Sequence, residues 1–507
     1  FVLPLRTAIN AMYDRIRGGI LHNESTDTRI ALLHSEMQAY YLEKSTSEKG
    51  KSDEEEPEEE LLTYVTRSKQ MALPLTIATL DQIFRFTLKY YGYEYILATL
   101  SYSKLIIDEV QMYSPDLLAY LIYGIKMVIE YGGKVAVITA TLPPFVKDKL
   151  YQVMGNDVAE RDFSGIKADR HNVKVMDEPL TSEAIWDVWK KKAGEDSRKF
   201  LVICNSVKTA QRLYRELEEL TQQENVRIHL LHSKFTGDDR KKKEREILEV
   251  GETGRKAHEI WIATSVVEAS LDIDFDYLFT ELLDLFSLFQ RMGRVNRKGI
   301  KDIDEVNCYV YLQLQDSPLR CFQSQNPRYR FVDNDIYLLS KEAMETVDGI
   351  LSETKKTNLI NEYLSAEKLE KTGYVKQYEQ TYRELEMLNI EEKSTGEMIR
   401  DIQTVDIIPA GVYNEHKDVI DTAEQKLRER DAGITEKLQA MEDIRRYVVP
   451  VPGYIVYGNK RRSEAVERYI RIRRNVEIPV VACEYSSEIG FERIYKKETE
   501  RQGSHII

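Results

Sequence analysis

Short apolar runs that alternate with helix-length segments constrain this chain more than any other feature. "RIALLHS" (29–35), "LTIATL" (75–80), "SKLIIDE" (103–109) and "KVAVITA" (134–140) are each followed by a turn or by helical spacing. Continuous apolar runs suit strands buried on both faces, as in parallel sheets with crossover helices. The pattern restarts at "KFLVICN" (199–205), then an amphipathic stretch with Ala210, Leu213, Leu217 and Leu220 on one face, "RIHLLHS" (227–233), "EIWIAT" (259–264) and "DYLFTEL" (276–282). "FVLP" at the start reads as a further buried strand and "LRTAINAMYDRI" as the helix after it. The expected fold class is α/β, two tandem lobes of parallel sheet with crossover helices. After "EVNCYVYLQL" (305–314) long charged helical patterns take over, predicting a mainly helical C-terminal region.

These shifts divide the 507 residues into a first lobe (1–175), a second lobe (176–315) and a helical linker with an accessory domain (316–507). The polar segment "EKSTSEKGKSDEEEPEEE" (43–60) reads as a disordered acidic insertion in the first lobe. No stretch is long and apolar enough for a membrane span, and no leader or lipidation signal is seen, so the cytoplasm is expected with no membrane partner. Cys204, Cys308, Cys321 and Cys483 form no CxxC pair, which argues against a zinc site and for a reducing compartment. The net charge of −13 does not exclude a basic groove for nucleic acid.

In "LIIDEVQ" (105–111) a strand ends in Asp108 and Glu109, which alternation would point to opposite faces. One acid could hold magnesium while the other orients and deprotonates a water, the division of labour in nucleotide hydrolysis; two acids capping a strand is the plainer alternative. In "QRMGRVNRKG" (290–299) Arg291, Arg294 and Arg297 recur every three residues, so on a helix they would project from neighbouring positions. An acidic strand end in one lobe and an arginine array in the other suit a nucleotide held between lobes.

"LIIDEVQ", "VITATLP", "ATSVVEASLDIDFD" and "FQRMGRVNRKG", in this order, resemble motifs two, three, five and six of superfamily-two DExD/H-box helicases, with two RecA-like P-loop NTPase lobes. "LPLRTAINAMYDRI" and "LLHSKFTGDDR" narrow the resemblance to the CRISPR-associated helicase of type I interference systems, the Cas-three helicase family. The motifs cover residues 1 to 315; "PVVACEYSSEIGF" (479–491) is more weakly similar to the family's C-terminal end. The resemblance implies ATP and Mg2+ as cofactors, with Asp108 the magnesium-associated acid and Glu109 the catalytic base. Gln290, Arg294 and Arg297 would face the γ-phosphate, and Asp272 would lie near the ribose. Thr139 and Thr141 would couple hydrolysis to DNA movement together with Gln111, which stands where the family more often has His. Contacts to single-stranded DNA would come from Pro4, Leu5, Arg6, His34, Ser35, Thr79, Gln82, Asn205, His232, Ser233 and Thr264; a strand-end or helix-capping role is the alternative for each.

"NKRRSEAVERYIRIRRN" (459–475) places Arg461, Arg462, Arg468, Arg471, Arg473 and Arg474 around a helical pattern that either meets DNA or a partner or is simply solvated. His229 and His232 are too far out of phase to share a metal. A GxxxxGK[ST] loop is not found, and the family has one just ahead of the segment matching "FVLPLRTAIN", so these 507 residues alone are expected to turn over little ATP. The family's HD nuclease domain is expected on a missing segment or a separate chain. The implied function is a 3′ to 5′ helicase or translocase loaded on the displaced strand of the R-loop made by the RNA-guided surveillance complex, feeding a nuclease. A non-catalytic DNA-binding or scaffold protein, and another superfamily-two DNA or RNA translocase, are the alternatives.

Overall fold

A computed structural model describes residues 1–4, 6–22, 26–34, 58–89, 92–155, 158–162, 169–222, 224, 226–268, 271–314, 334–388, 404–457, 464–473 and 476–495. The chain divides into two compact units. The first spans residues 1–37, 59–229 and 247–401, and the second includes 230–246 and 402–507.

The first unit contains two sheets. One is built from β1 (Val2–Leu3), β2 (Ile30–Leu33), β3 (Leu75–Thr79), β4 (Lys104–Asp108) and β5 (Lys134–Ile138), in the order β2-β3-β1-β4-β5. Its strands pair in parallel, as continuous apolar runs require when helices cover the faces. Helix α1 (Arg6–Gly19) follows β1, and α2 (Pro115–Glu130) joins β4 to β5. Proline at the first turn of α2 forfeits no helical hydrogen bond. Gly124 in α2 is needed because a Cβ there would stand 2.3 Å from the Phe84 ring. Helix α3 (Pro144–Met154) follows β5.

The second sheet uses β6 (Asn172–Pro179), β7 (Arg198–Ile203), β8 (Arg227–Leu231), β9 (His258–Ala263), β10 (Tyr277–Glu281), β11 (Cys308–Gln313) and β12 (Gly349–Ile350). The order is β12-β6-β11-β10-β7-β9-β8, with β12 antiparallel to β6. The expected lobe boundary at 175/176 falls inside β6, whose Val173 pairs with Cys308, so this strand belongs wholly to the second sheet. Helix α4 (Val207–Thr221) buries Ala210, Leu213 and Leu217, three of the four residues assigned to its inner face; Leu220 is exposed. Helix α5 (Leu285–Met292) is capped by Asp284, whose carboxylate accepts from the Ser287 amide at 2.8 Å.

Helices α6 (Glu353–Tyr363) and α7 (Gly373–Met387) lie in the sequence region expected to be separate, yet belong to the first unit. The reason is side-chain docking: Gln377 and Thr381 on α7 donate to Asp116 of α2 at 2.6 and 2.8 Å, and Tyr382 meets Tyr123 edge-on.

The second unit has helices α8 (Lys417–Arg428) and α9 (Ile434–Arg445) and a mixed sheet, order β14-β13-β16-β15, of β13 (Thr404–Pro409), β14 (Val449–Pro452), β15 (Val466–Arg473) and β16 (Val476–Val481). A hairpin of β17 (Cys483–Ser486) and β18 (Gly490–Ile494) completes it. The C-terminal region thus combines helices with strands. In particular, the arginine-rich stretch expected to be helical is β15: Ile470 and Ile472 are buried and Tyr469, Arg471 and Arg473 exposed, a period of two. Arg461, Arg462 and Arg474 lie outside the described residues. So do residues 43–57 of the acidic insertion, whereas 58–60 open the helix Glu58–Lys69. Among the described residues no helix is long and apolar enough to cross a membrane, and no group of three or more His, Cys, Asp and Glu could hold a metal.

Candidate nucleotide site

Asp108 is the last residue of β4. Glu109 leaves the strand in the left-handed region at φ 51°, so the two acids diverge through a turn rather than through strand alternation as expected. A non-glycine residue held there costs about 1–3 kcal/mol, a cost met chiefly at functional sites. The turn is held by the Glu109 amide, which reaches the Ile138 carbonyl of β5 at 3.0 Å and Asp108 Oδ1 at 3.0 Å. Burial raises the pKa of both acids; for Glu109 the Gln111 hydrogen bond and Arg294 work against it while Asp108 adds to it.

Gln111 Nε2 donates to Glu109 Oε2, and Gln111 Oε1 can accept from Thr139 Oγ1. That hydroxyl also lies 2.7 Å from the Thr141 carbonyl, and it accepts from the Thr141 amide at 3.2 Å. One proton cannot serve both acceptors, so Thr139 can either join Gln111 and Glu109 or turn to its own loop.

In the second sheet's lobe α5 ends at Met292, and Arg294 and Arg297 lie on the turn beyond it. The three arginines therefore do not share a helical face. Arg291 is buried, with its side chain 1% exposed. It donates to Glu268 Oε1 at 2.8 Å, Asn205 Oδ1 at 2.9 Å, Thr280 Oγ1 at 3.0 Å and the Glu281 carbonyl at 2.7 Å. Arg294 donates through Nη2 to the Glu268 carbonyl, and its buried Nε has no partner among the described residues. Burial, then Arg297, lowers its pKa to about 10, against the pull of Asp272 and Glu109. Arg297 pairs with Asp272 at 2.9 Å, on an aspartate that is 79% exposed. Gln290 is half-buried on the last turn of α5.

The first unit thus brings Glu109, with Asp108, Gln111, Thr139 and Thr141 around it, within electrostatic reach of Arg294. The donor set fits a magnesium nucleotide: two half-buried acids with no ion pair among the described residues, and a guanidinium whose buried Nε has no partner among them.

The residues expected on DNA are dispersed. His34 is buried and bonded to Asn10 Oδ1 at 2.9 Å, Gln82 bonds Asp81 and Arg85, and the buried Thr79 hydroxyl has no partner among the described residues. Pro4 follows β1, and Thr264 is buried ahead of a single turn at 265–267. Asn205 donates to the Leu282 carbonyl at 2.9 Å and accepts from Arg291, so its amide is used inside the lobe. His232 and Ser233 belong to the second unit, where His232 is buried between the Ile489 carbonyl and the Lys234 amide, neutral because burial lowers its pKa to about 3; Ser233 is exposed. Leu5, Ser35 and the Arg6 side chain lie outside the described residues. The Arg291–Glu268 pair went unread because nothing local to the sequence tells a buried arginine from an exposed one.

Two α/β lobes of parallel sheet, one with an acidic strand end and one with an arginine turn, define a fold shared with solved Cas3 structures. Residues 196–300 match the family described as CRISPR-associated nuclease/helicase Cas3, C-terminal. A CRISPR-associated nuclease/helicase Cas3 of Methanothermobacter thermautotrophicus is 28% identical over 416 residues, covering 79% of this chain and 47% of the relative. The ATP-bound crystal structure of T. fusca Cas3 superposes with a TM-score of 0.71 at 14% identity, over 98% of this chain and 63% of that one. A chain from an RNA-guided CRISPR surveillance complex, pre-nicking, superposes with a TM-score of 0.61 at 14% identity, over 98% of this chain and 66% of that one. The family match, the curated relatives and the solved structures together support a member of the Cas3 helicase family. It spans about half the length of the curated relative.

Proposed function

We propose that this chain is the motor portion of a CRISPR-associated helicase, an ATP-driven translocase on single-stranded DNA. The observation that carries the reading is the placement of Glu109 and Arg294 on different lobes within electrostatic reach of each other. Asp108 would hold Mg2+, which when bound neutralises phosphate charge and fixes the nucleotide's orientation. Glu109 is suited to orient and deprotonate a water: its raised pKa increases its basicity, and Gln111 fixes one of its oxygens. Arg294 would offer its Nε, unpartnered among the described residues, to developing phosphoryl charge, and Arg297 and Gln290 would face the same phosphate. The Arg297–Asp272 pair is exposed and weak, so it can open to free Arg297 for phosphate and Asp272 for a ribose. The two alternative acceptors of Thr139 supply the coupling step.

DNA contact by backbone and hydroxyl donors would give movement without sequence reading. The substrate would be the displaced strand of an R-loop made by a surveillance complex, travelled 3′ to 5′ and passed to an HD nuclease on another segment or chain. Because these 507 residues include no GxxxxGK[ST] loop, the chain on its own is proposed to be nearly inactive. Unwinding of tailed duplexes by the complete gene product tests polarity: 3′-tailed substrates should open and 5′-tailed ones should not. Equal opening of both would defeat the directional claim.

A further inference from the structure

Behind the arginine turn lies a cluster of buried and half-buried polar side chains, His171, Lys356, Glu353 and Arg170, that the nucleotide reading does not use. His171 is fully buried; Nε2 lies 2.7 Å from the Met292 carbonyl and 3.2 Å from that of Val295, while Nδ1 lies 2.9 Å from Lys356 Nζ. Two carbonyls on one side and an ammonium on the other select the tautomer protonated at Nε2. Lys356, on α6, is 3% exposed; it also binds Glu353 Oε1 at 3.1 Å and lies over the Phe289 ring of α5. Glu353 in turn takes Arg170, whose Nη1 donates to the Arg297 carbonyl at 3.2 Å. Arg170 also offers its own carbonyl to Asn296 Nδ2 at 3.1 Å, and Asn296 is a buried residue in the left-handed region at φ 45°. Carbonyls of Met292, Val295 and Arg297 are thus all held from one side by residues 170, 171, 353 and 356.

The charges are consistent with a fixed device. Burial would raise the Glu353 carboxyl, but Lys356 and Arg170 outweigh it and bring it to about 2. Burial, with Lys356 and Arg170, takes His171 down to about 3, so the ring is a neutral donor at any working pH. Burying Lys356 and covering most of Glu353 and Arg170 costs more than an apolar filling of similar volume, so fold stability alone is a poor explanation of the set. What an apolar filling could not do is hold three backbone carbonyls in a chosen orientation.

We infer that Glu353 and Lys356 are positioning residues for phosphoryl transfer, setting Arg294 and Arg297 from behind through Arg170 and His171. The inference rests on the motor reading and adds that helix α6, well beyond the motifs in sequence, is part of the hydrolytic machinery. Arg294 lies 26 residues from Glu268 and 62 from Lys356 in sequence; their link is spatial, through the hydrogen bonds named above.

The test uses the complete gene product, with Lys356→Met and Glu353→Gln compared with Glu109→Gln. Both positioning variants should lower kcat of DNA-stimulated ATP hydrolysis by about 10-fold or more, with the KM for ATP within about threefold, since misplacement acts on the transition state. In an Arg294→Ala, Arg297→Ala background the Lys356→Met effect should shrink to about threefold or less, because Lys356 acts through those two arginines. Amide hydrogen exchange across 292–299 should quicken in Lys356→Met while β7 and β10 keep their protection. Unchanged exchange there, or faster exchange with an unchanged kcat, overturns the inference. If Glu109→Gln leaves hydrolysis untouched the motor reading is what fails, and the exchange result alone then decides whether α6 holds the arginine turn.

Discussion

Replacing Arg291 by Met removes a guanidinium whose partners are all inside the second lobe. The loss strands Glu268, a carboxylate whose side chain is 8% exposed and which reaches Arg291 Nε at 2.8 Å. It also frees the acceptors on Asn205, Thr280 and Glu281. Breaking a buried pair from one side costs about 3–5 kcal/mol. At roughly 2–4 °C per kcal/mol, thermal unfolding of this lobe should fall by ~6–20 °C. The loss should depend on pH in a definite sense. Burial already raises the Glu268 pKa above its ordinary value, with Arg291 opposing, so removing Arg291 raises it further. A carboxyl whose folded pKa lies above its unfolded one favours the native state below the unfolded value and loses that benefit as pH rises through the folded one. Arg291→Met should therefore be less damaging at pH 5 than at pH 8. Adding Glu268→Gln, which removes the stranded charge, should recover roughly half of the loss at pH 8. Differential scanning fluorimetry across pH reads all of this. An Arg291→Met protein that melts with its parent, or a double variant worse than the single at pH 8, would refute the placement of Arg291 as a buried lock.

Asn205→Ala should lower the melting temperature by leaving the Leu282 carbonyl and one Arg291 donor unpaired, a cost of about 1–3 kcal/mol, while single-strand DNA affinity of the folded protein stays unchanged; a selective loss of DNA binding in an equally stable protein would contradict this. Arg468→Met should destabilise the second unit without altering DNA affinity, because the guanidinium is taken up by Asp421 at 3.0 Å and Glu424 at 2.7 Å; fluorescence anisotropy and melting curves together check it. Thr139→Val keeps the shape of the side chain and removes the proton that chooses between Gln111 and Thr141. ATP hydrolysis by the complete protein should persist while base pairs opened per ATP fall by about 10-fold, and a parallel fall in both would argue against a coupling role.

Much of this was legible because it is local. The acid-ended strand and the parallel sheets follow from apolar runs of strand length, and the amphipathic helix after β7 from spacing alone. Legibility ended where tertiary pairing decides. The helix carrying Arg291 stops at Met292 because the next residues pair with Phe275: its amide takes the Arg294 carbonyl at 2.9 Å, and Val295 bridges to it. That contact turns Arg294 away from the helical face that three-residue spacing implies. In "RYIRIR" the arginines fit a helical period and a strand period equally well; burial of Ile470 and Ile472 against the second unit's core selects the strand. Docking of α7 on α2 hangs on Asp116, an acid with nothing in its neighbourhood to single it out.

The central claim is that Glu109 and Arg294 form one hydrolytic site. Steady-state ATP hydrolysis by the complete gene product, with and without single-stranded DNA, measures it most directly when the parent is set beside Glu109→Gln and Arg294→Ala. DNA should stimulate the parent, and each substitution should lower kcat by at least about 100-fold, the effect of losing a general base or a phosphate-facing arginine. DNA-stimulated hydrolysis at the parental rate in either variant would contradict the account.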